Sequence, residues 1–521
     1  MTATDRIKTY LQQIGPWPAN TVSLMGIGPG DPGLLCVKAL LRLADADVLL
    51  YDMGRQPSQL ARLTKPDAVH LCVGRTDHRP RIQSADRVKL IKPHLDRGRR
   101  VAILKSGDPM VFNRGEQDAR ALAAAGIAFE IIPAPTAALA AAAYAGIPVT
   151  DRKRIDAVSL AIGKADPDPQ MIPPDLPALT RSGTLAVYMA EDNIAGLVER
   201  LSRGGLEADT PLAVVENATR PTQRVIRTSL GRLIDTAKSA DLHKPAIIFI
   251  GSAADACPDI RWLEARPLAG QRILVTRPAH QAASLVGQLA ALGADVLEAP
   301  TLGIEPLSDS DPQYDAFMHA LRALNTYDYL IVTSANAIDA LRAHTHDVRA
   351  LAGPRLAVIG TATLARFREL HLTPEIVPQE FTSQALARCL EQQGLKNRRC
   401  LLLRSDIADT RLPDALRGFG AEVDDVIAYR AVCPESLPQP ALTALHAGHV
   451  DWATFTSPSA FKNFLTLLGP TATGVLPFLK LASLGPRTTA TIRKAGYAVE
   501  VEAQNHTSAG LADAIAEQSG S

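Results

Sequence analysis

The sequence lacks the features that mark several broad classes of protein. Its six cysteines form no CxxC pair, and neither they nor the histidines have the spacing of metal ligands, so we expect reduced thiols and no metal site. Lysine and arginine together number 55 against 54 acidic residues, so the overall charge favours neither nucleic acid nor a membrane surface. There is no apolar run long enough to span a bilayer and no apolar leader. We therefore expect a cytoplasmic protein without nucleic-acid or membrane partners.

The first half does have turns rich in glycine and proline between apolar strands and helices. Three glycines fall within residues 26–30, between the apolar run 21–25 and a helical pattern over 34–44. Glycine lets the backbone approach a ligand closely at the end of a sheet. Pro29 and Pro32 remove two N–H donors that a phosphate would need. The turn therefore predicts a small-molecule site that is not a phosphate cradle.

Two more loops of this kind follow in the first half. The second loop, 105–115, comes after a strand predicted at 101–104 and before a helix predicted at 116–125. The third, 133–138, follows a strand at 129–132 and also opens a helix. Such junctions bring their loops to one edge of a parallel sheet, where a cleft forms.

Over residues 20–252 the chain resembles the tetrapyrrole methyltransferases that use S-adenosylmethionine, and most of all uroporphyrinogen-III C-methyltransferase. The resemblance is carried, in order, by GIGPGDPGLL (26–35), ADVLLYD (46–52), LKSGDPMVFNRG (104–115), AAAYAGIPVTDR (141–152), YMA (188–190) and ADTPLAVVENATRPTQR (208–224). It implies an α/β methylase fold of two subdomains and a homodimer formed through this half.

The resemblance also implies an S-adenosylmethionine site. Its residues would be Pro29, Ser106, Asp108, Val111, Thr136, Ala137, Met189, Ala213 and Ala246. Such a site orients the methyl donor and excludes water. The Asp108 carboxylate can accept from a ribose hydroxyl or an ammonium group; the alternative is an ordinary turn or helix-start aspartate. Met189 without the resemblance would be core filler in a strand.

A substrate with many carboxylates needs arginines, and Arg114 matches the family's arginine after the second loop. It is predicted to be a catalytic residue in contact with substrate; the alternative is a solvated surface charge. The chain departs from the family at Met53, where an arginine is usual, at Ser106, and at 134–135. It also lacks the family's glutamate-rich stretch, at 81–86. These departures leave two expectations open, an active methyltransferase or a domain of altered or lost activity.

Residues 253–269 break the periodicity and are predicted to be a linker. A second α/β unit starts at 270, with a strand at 272–276 and a helix at 281–292. Further strands are predicted at 329–333, 355–359, 399–403, 422–429, 452–455 and 480–484.

Residues 270–519 resemble uroporphyrinogen-III synthase. The resemblance rests on ILVTRP (273–278), TSANAI (333–338), VIGTAT (358–363), VPQEFTSQAL (377–386), LLLRSDIADTRLPDALRGFGAEV (401–423), AYRAV (428–432), TSPSAF (456–461) and SLGPRTTATIRKAGY (483–497). It implies two α/β lobes, one from about 270–301 and 433–519 and the other from about 308–426. The segments 302–307 and 427–432 would connect them as an antiparallel pair.

In this second half the resemblance implies that Tyr429 donates a proton to the departing hydroxyl of hydroxymethylbilane. The alternative is a strand aromatic with a satisfied hydroxyl. Hydroxyl residues at strand ends are predicted to bind substrate carboxylates, or else only to cap helices. These residues are Thr333, Ser334, Thr361, Thr456, Ser457 and Thr488.

Together the two resemblances predict a bifunctional enzyme of tetrapyrrole biosynthesis. The second half would cyclise hydroxymethylbilane to uroporphyrinogen III with inversion of ring D and without a cofactor. The first half would methylate that product to precorrin-2, toward sirohaem or cobalamin. The alternative is an active synthase fused to a methyltransferase domain that only binds a ligand or dimerises.

Overall fold

The computed structural model describes residues 11–52, 63–75, 80–153, 155–163, 174–242, 245–255, 257–345 and 347–519. They form two compact units, one up to Gly270 together with Leu292–Asp295, the other comprising Gln271–Ala291 and the chain from Val296 onward. Each unit is mixed α/β with two five-stranded sheets, so the predicted fold class is confirmed. We number the strands β1 to β20 along the chain and treat each unit by itself.

Sheet 1 is parallel throughout. Its strands are β1 Thr21–Gly26, β2 Val48–Tyr51, β3 Val69–Cys72, β4 Val101–Lys105 and β5 Ala128–Ile132. Their order is β3-β2-β4-β1-β5, and every neighbouring pair runs in the same direction. Because β4 and β5 flank β1, the loops that follow these three strands are neighbours at one edge, as the sequence predicts. The helices of this part are Val37–Asp45, Ser84–Leu95, Gly115–Ala124 and Ala137–Ala145.

Sheet 2 completes the first unit and is mixed. Its strands are β6 Val158–Ile162, β7 Thr184–Tyr188, β8 Pro211–Glu216, β9 Arg224–Ser229 and β10 Ala246–Ile250. Their order is β6-β7-β10-β8-β9; only β6 and β7 run parallel. One face packs on the helix Ala137–Ala145. The opposite face packs on the helices Leu176–Ser182, Ile194–Arg203 and Leu233–Ser239.

In the second unit, sheet 3 takes strands from both ends of the chain segment. They are β11 Arg272–Val275, β12 Asp295–Glu298, β18 Trp452–Phe455, β19 Lys480–Ser483 and β20 Val501–Glu502, in the order β12-β11-β18-β19-β20. From β11 to β20 the pairs are parallel. Its helices are Ala279–Ala291, Gln439–His446, Pro458–Leu468, Ala472–Val475, Pro486–Lys494 and Ser508–Ser519.

Sheet 4 lies between these segments in sequence. It contains β13 Gly303–Pro306, β14 Tyr329–Val332, β15 Arg355–Val358, β16 Arg399–Ser405 and β17 Glu422–Val432, in the order β13-β17-β16-β14-β15. Its helices are Tyr314–Arg322, Ala335–His344, Thr361–Glu369, Ser383–Glu391 and Arg411–Gly418. The end of β17 pairs antiparallel with β13, Gly303 opposite Val432 and Pro306 opposite Tyr429. The predicted antiparallel pairing of the two connecting segments is therefore present.

Sheets 3 and 4 repeat one local design. In each, a buried strand ends in a Thr-Ser pair whose serine caps the next helix, and the following strand ends at a glycine before another helix. The backbone angles of the two capping serines agree closely, with φ and ψ of −147° and 149° at Ser334 and −152° and 156° at Ser457. The paired motifs in the sequence thus correspond to paired structures.

Candidate functional site

The three loops at the carboxyl edge of sheet 1 are hydrogen-bonded to one another. Gly107 N–H donates to Gly28 C=O at 2.8 Å, which joins the second loop to the first. A Cβ on Gly26 would lie 2.5 Å from the carbonyl oxygen of Gly107 and 2.7 Å from the Cβ of Ala134. Only glycine leaves room for this approach, so the glycine-rich turn serves close packing of the loops.

Asp108 connects the second loop to the third. Its Oδ1 accepts from Met110 N–H at 2.8 Å, the local contact of a turn aspartate, while Oδ2 accepts from Ala134 N–H at 3.0 Å across the site. A carboxylate offers about four acceptor positions, so two bonds leave capacity for a ligand. In the structure the Asp108 carboxylate therefore connects the second and third loops, and its predicted contact with a ligand stays a prediction.

Tyr188, at the end of β7, links the third loop to sheet 2. Its hydroxyl accepts from Ala138 N–H at 2.9 Å and lies 2.7 Å from Thr136 Oγ1. Burial raises the pKa of Tyr188 above its usual value, so the phenol stays protonated at neutral pH. The sequence analysis included this residue only as part of a motif and gave it no role.

Apolar side chains stand unusually exposed around these loops. Met110, Phe112 and Met189 are 52%, 38% and 44% exposed, and the ring of Phe112 packs edge-on against Tyr188 at 5.0 Å between centroids. Phe112, Arg114 and Met189 also have positive φ angles, of 53°, 56° and 54°. Left-handed backbone is uncommon outside glycine and gathers at functional sites. An exposed apolar rim beside a half-buried carboxylate suits an adenosine and a sulfonium group.

The remaining predicted cofactor residues divide between two faces of sheet 2. Val111, Ala137 and Ala213 belong to the hydrophobic cluster that faces the helix Ala137–Ala145, on the side of the loops. Ala246 packs in the cluster on the opposite face. Its side chain is thus not brought together with the others, and only its backbone is left for a ligand contact. Pro29 is half-buried and Ser106 is exposed, both in the loops themselves.

Arg114 is exposed and directly precedes the helix Gly115–Ala124. Among the described residues it forms no ion pair, so its guanidinium is available to an anionic substrate. Met53, the departure that bears on methyltransferase activity, lies outside the described residues.

A buried ionic cluster lies where β4 enters the second loop and was missed by the sequence analysis. Lys105, the last residue of β4, is fully buried; its Nζ lies 2.6 Å from Asp118 Oδ2 and 3.3 Å from Asp52 Oδ2. Arg87 Nη1 lies 2.8 Å from the same oxygen of Asp118, and its Nη2 is 3.9 Å from Asp52. Two cations therefore balance two carboxylates. The available signal was that Lys105 and Asp52 each follow an uninterrupted apolar run of residues.

In the second unit, Tyr429 and Ser334 form a pair. Tyr429 is 7% exposed, and its hydroxyl lies 3.0 Å from Ser334 Oγ, which also accepts from Ala337 N–H at 3.2 Å as the cap of a helix. Because Ser334 Oγ already accepts, its own proton can go to the phenol oxygen, leaving the phenol proton for a substrate. The predicted donor and one predicted substrate residue are thus brought together.

Of the other predicted hydroxyl residues, Thr333, Thr456 and Ser457 stand at strand ends. The strand-end position predicted for Thr361 and Thr488 is wrong, because Thr361 begins the helix Thr361–Glu369 and Thr488 lies inside the helix Pro486–Lys494. Ser457 caps its helix through Ala460 N–H at 3.2 Å. Thr333 and Thr456 are half-buried next to the two capping serines, Thr361 is exposed, and Thr488 is buried. The helix-capping alternative therefore describes Ser334 and Ser457, while substrate contact by all six stays a prediction.

Two general features complete the geometry. In the parts of the chain that the structure describes, no helix is long and apolar enough to cross a membrane. Over the same residues, no group of three or more His, Cys, Asp or Glu side chains is placed to hold a metal ion.

Comparison with known proteins places both halves. The family model for Uroporphyrinogen-III synthase HemD matches residues 283–513, and that for Tetrapyrrole (Corrin/Porphyrin) Methylases matches residues 21–234. A porphyrin biosynthesis protein HemD of Ruminiclostridium josui is 30% identical over 449 residues, which are 85% of this chain and 88% of that protein. A siroheme synthase of Tolumonas auensis is 35% identical over 264 residues, 50% of this chain and 55% of that protein, so the chain spans about half of that relative's length.

Among solved structures, the uroporphyrin-III C-methyl transferase of Thermus thermophilus complexed with S-adenyl homocysteine is 28% identical, covering 46% of this chain and 99% of that one with a TM-score of 0.39.

The two units thus define a two-part α/β protein with a methylase half and a synthase half. The chain belongs to the family of porphyrin biosynthesis proteins in which a tetrapyrrole methylase is fused to a uroporphyrinogen-III synthase.

Proposed function

We propose that the chain makes uroporphyrinogen III from hydroxymethylbilane in its second half and methylates that product to precorrin-2 in its first. The observation that carries the proposal is the presence, in one chain, of three hydrogen-bonded loops with an exposed apolar rim and of a buried phenol paired with a serine. The family membership supports both activities at the level of tetrapyrrole methylation and uroporphyrinogen-III synthesis.

In the first half, S-adenosylmethionine would supply an electrophilic methyl group. The chain's own part is to orient and to exclude water. The loop tie through Asp108 fixes the spacing of the second and third loops. Met110, Phe112 and Met189 would cover the donor, and Arg114 would hold a carboxylate of the tetrapyrrole.

In that half, the residues proposed to contact S-adenosylmethionine are Pro29, Ser106, Asp108, Val111, Thr136, Ala137, Met189, Ala213 and the backbone of Ala246.

In the second half, the Tyr429 hydroxyl would donate its proton as the terminal hydroxyl of the bilane leaves as water. Ser334 Oγ, 3.0 Å away, orients the phenol for that donation. The rest of the reaction, ring inversion and closure, needs the flexible bilane to be held in a reactive conformation. Thr333, Thr456 and Ser457 would hold its carboxylates at the strand ends, with Thr361 and Thr488.

One assay tests both activities. The full chain is incubated with hydroxymethylbilane, with and without S-adenosylmethionine, and the products are separated and identified. We expect uroporphyrinogen III without the methyl donor and precorrin-2 with it. If uroporphyrinogen III is the product under both conditions, the chain is an active synthase fused to a methylase domain without methyltransferase activity. The unrearranged isomer alone would overturn the synthase proposal, because it forms from the bilane without the enzyme.

A further inference from the structure

Arg277 is a half-buried arginine without a negative partner among the described residues. It follows β11 at the carboxyl edge of sheet 3, where Nη1 donates to Ser508 Oγ at 3.1 Å. Its Nε is buried and has no hydrogen-bond partner. Among the described residues no carboxylate lies within ion-pair distance of this guanidinium. An arginine in this setting has used one of its five donors and has its charge uncompensated.

Such a group is unfavourable for the folded protein by itself. Burial alone lowers the pKa of Arg277 from its usual value, although an arginine remains protonated in a protein. Buried charges are normally paired, because removing a cation from water costs far more than one hydrogen bond returns. An arginine without a carboxylate partner in the protein is explained if a bound ligand supplies the negative charge.

The position of Arg277 suits a ligand of the second unit. Ligands of open α/β sheets bind outside the carboxyl ends of the strands, which is where Arg277 lies. Gln281, one turn further along, donates to Asn336 Oδ1 at 3.1 Å on the side of sheet 4. On the same edge, Arg487 interacts electrostatically with Asp409, a residue of the segment that follows β16 in sheet 4. Arg411, and to a lesser degree Arg487, lower the pKa of the Asp409 carboxyl. The edge that holds Arg277 therefore faces the other lobe.

We propose that Arg277 binds a carboxylate of the tetrapyrrole substrate through its two terminal nitrogens. A guanidinium and a carboxylate match as a bidentate pair, and the acetate and propionate side chains of the bilane supply that group. The proposal rests on the synthase function proposed above and adds a charged binding residue to a set that otherwise consists of hydroxyl groups.

The test compares Arg277→Met and Arg277→Lys with Arg493→Met, an exposed arginine at the far end of the helix Pro486–Lys494. Each full-length variant is assayed with hydroxymethylbilane for KM and kcat. Binding of uroporphyrin III, a stable macrocycle with eight carboxylates, is measured by calorimetry. Loss of one charge-assisted pair should raise KM and the uroporphyrin Kd about ten- to a hundredfold in Arg277→Met. The control should match the wild type.

Thermal unfolding separates a binding role from a structural one. A residue kept for binding leaves the melting temperature unchanged or higher when it becomes methionine, because an uncompensated, partly buried charge disappears. Arg277→Lys keeps the charge without the fork and should bind weakly as well. Unchanged KM and Kd in both variants, with a lower melting temperature, would overturn the proposal. If the wild type makes no uroporphyrinogen III, the synthase function fails and the uroporphyrin titration alone decides the role of Arg277.

Discussion

Replacing Lys105 by methionine should strongly destabilise the first unit, because it removes one of the two cations that balance two buried carboxylates. The ammonium is fully buried and contacts Asp118 at 2.6 Å and Asp52 at 3.3 Å. Methionine has a similar length, so the packing is kept while the charge is lost. Arg87 can then balance only one of the carboxylates. Breaking a buried pair by removing one partner costs about 3–5 kcal/mol, and we expect a loss of that size.

A double variant tests whether charge is the cause. Lys105→Met with Asp118→Asn returns the cluster to neutrality, with Arg87 opposite Asp52. The new amide can place its oxygen opposite Arg87, where Asp118 Oδ2 now lies. Its nitrogen then takes the place of Asp118 Oδ1, an atom that has no hydrogen-bond partner. Two independent losses would add, whereas a charge imbalance predicts recovery. We expect the double variant to regain on the order of 2 kcal/mol over the single one.

Hydrogen exchange of the β4 amides in the intact chain is the suitable assay, since a chain of two units need not unfold in one step. Lys89→Met is the matched control: Lys89 is exposed and pairs with Asp86 at 2.8 Å on the same helix as Arg87. Its loss should leave the exchange of β4 unchanged. Wild-type protection of β4 in Lys105→Met, or weaker protection in the double variant than in the single one, would refute the reasoning.

Three further predictions concern the two sites and the acid side of the stability curve. Asp108→Ala should raise the Kd for S-adenosylhomocysteine about ten- to a hundredfold by calorimetry, because the predicted charge-assisted bond from Asp108 to the ligand is lost, and it should leave synthase turnover unchanged. Tyr429→Phe should lower synthase kcat by roughly one to four powers of ten with an unchanged melting temperature; unchanged kcat would return it to ordinary strand packing. At Glu130, burial alone would raise the pKa, but Arg42, Lys38 and Ser23 hold it at about 2 against a usual value of 4.5. The stability that Glu130 adds over Glu130→Gln in urea unfolding should thus be complete above pH 5 and fade as the pH falls toward 2; a pH-independent difference would contradict this.

The parallel strands could be predicted because they are continuous apolar runs between glycine and proline turns. The strand expected at 452–455 is found at Trp452–Phe455, and that at 101–104 extends one residue to Lys105. Neighbouring loops at one edge followed from parallel pairing alone. The antiparallel place of β10 between β7 and β8 could not be predicted, since its register depends on residues far apart in sequence.

The chemistry of the sites was predictable to a lesser degree. Close packing of the glycine-rich loops follows from local sequence, whereas Asp108 was assigned from the family resemblance and its ligand contact stays a prediction. The cluster around Lys105 depends on Asp52, 53 residues earlier, and no spacing rule connects them. Arg277 was identified because no carboxylate pairs with it in the structure, and the absence of a contact cannot be seen in a sequence. Both are properties of packing.

The discontinuity of sheet 3 has a consequence for synthesis of the chain on the ribosome. β11 pairs in parallel with β18, with Ile273 opposite Trp452, so the strand is made long before its partner. At about 5–20 residues per second, the wait lasts on the order of ten seconds or more. All of sheet 4 emerges during that interval and can fold first. The lobe that starts earliest is therefore completed last, and a ribosome that stalls inside sheet 4 leaves the edge of β11 that later pairs with β18 open to aggregation.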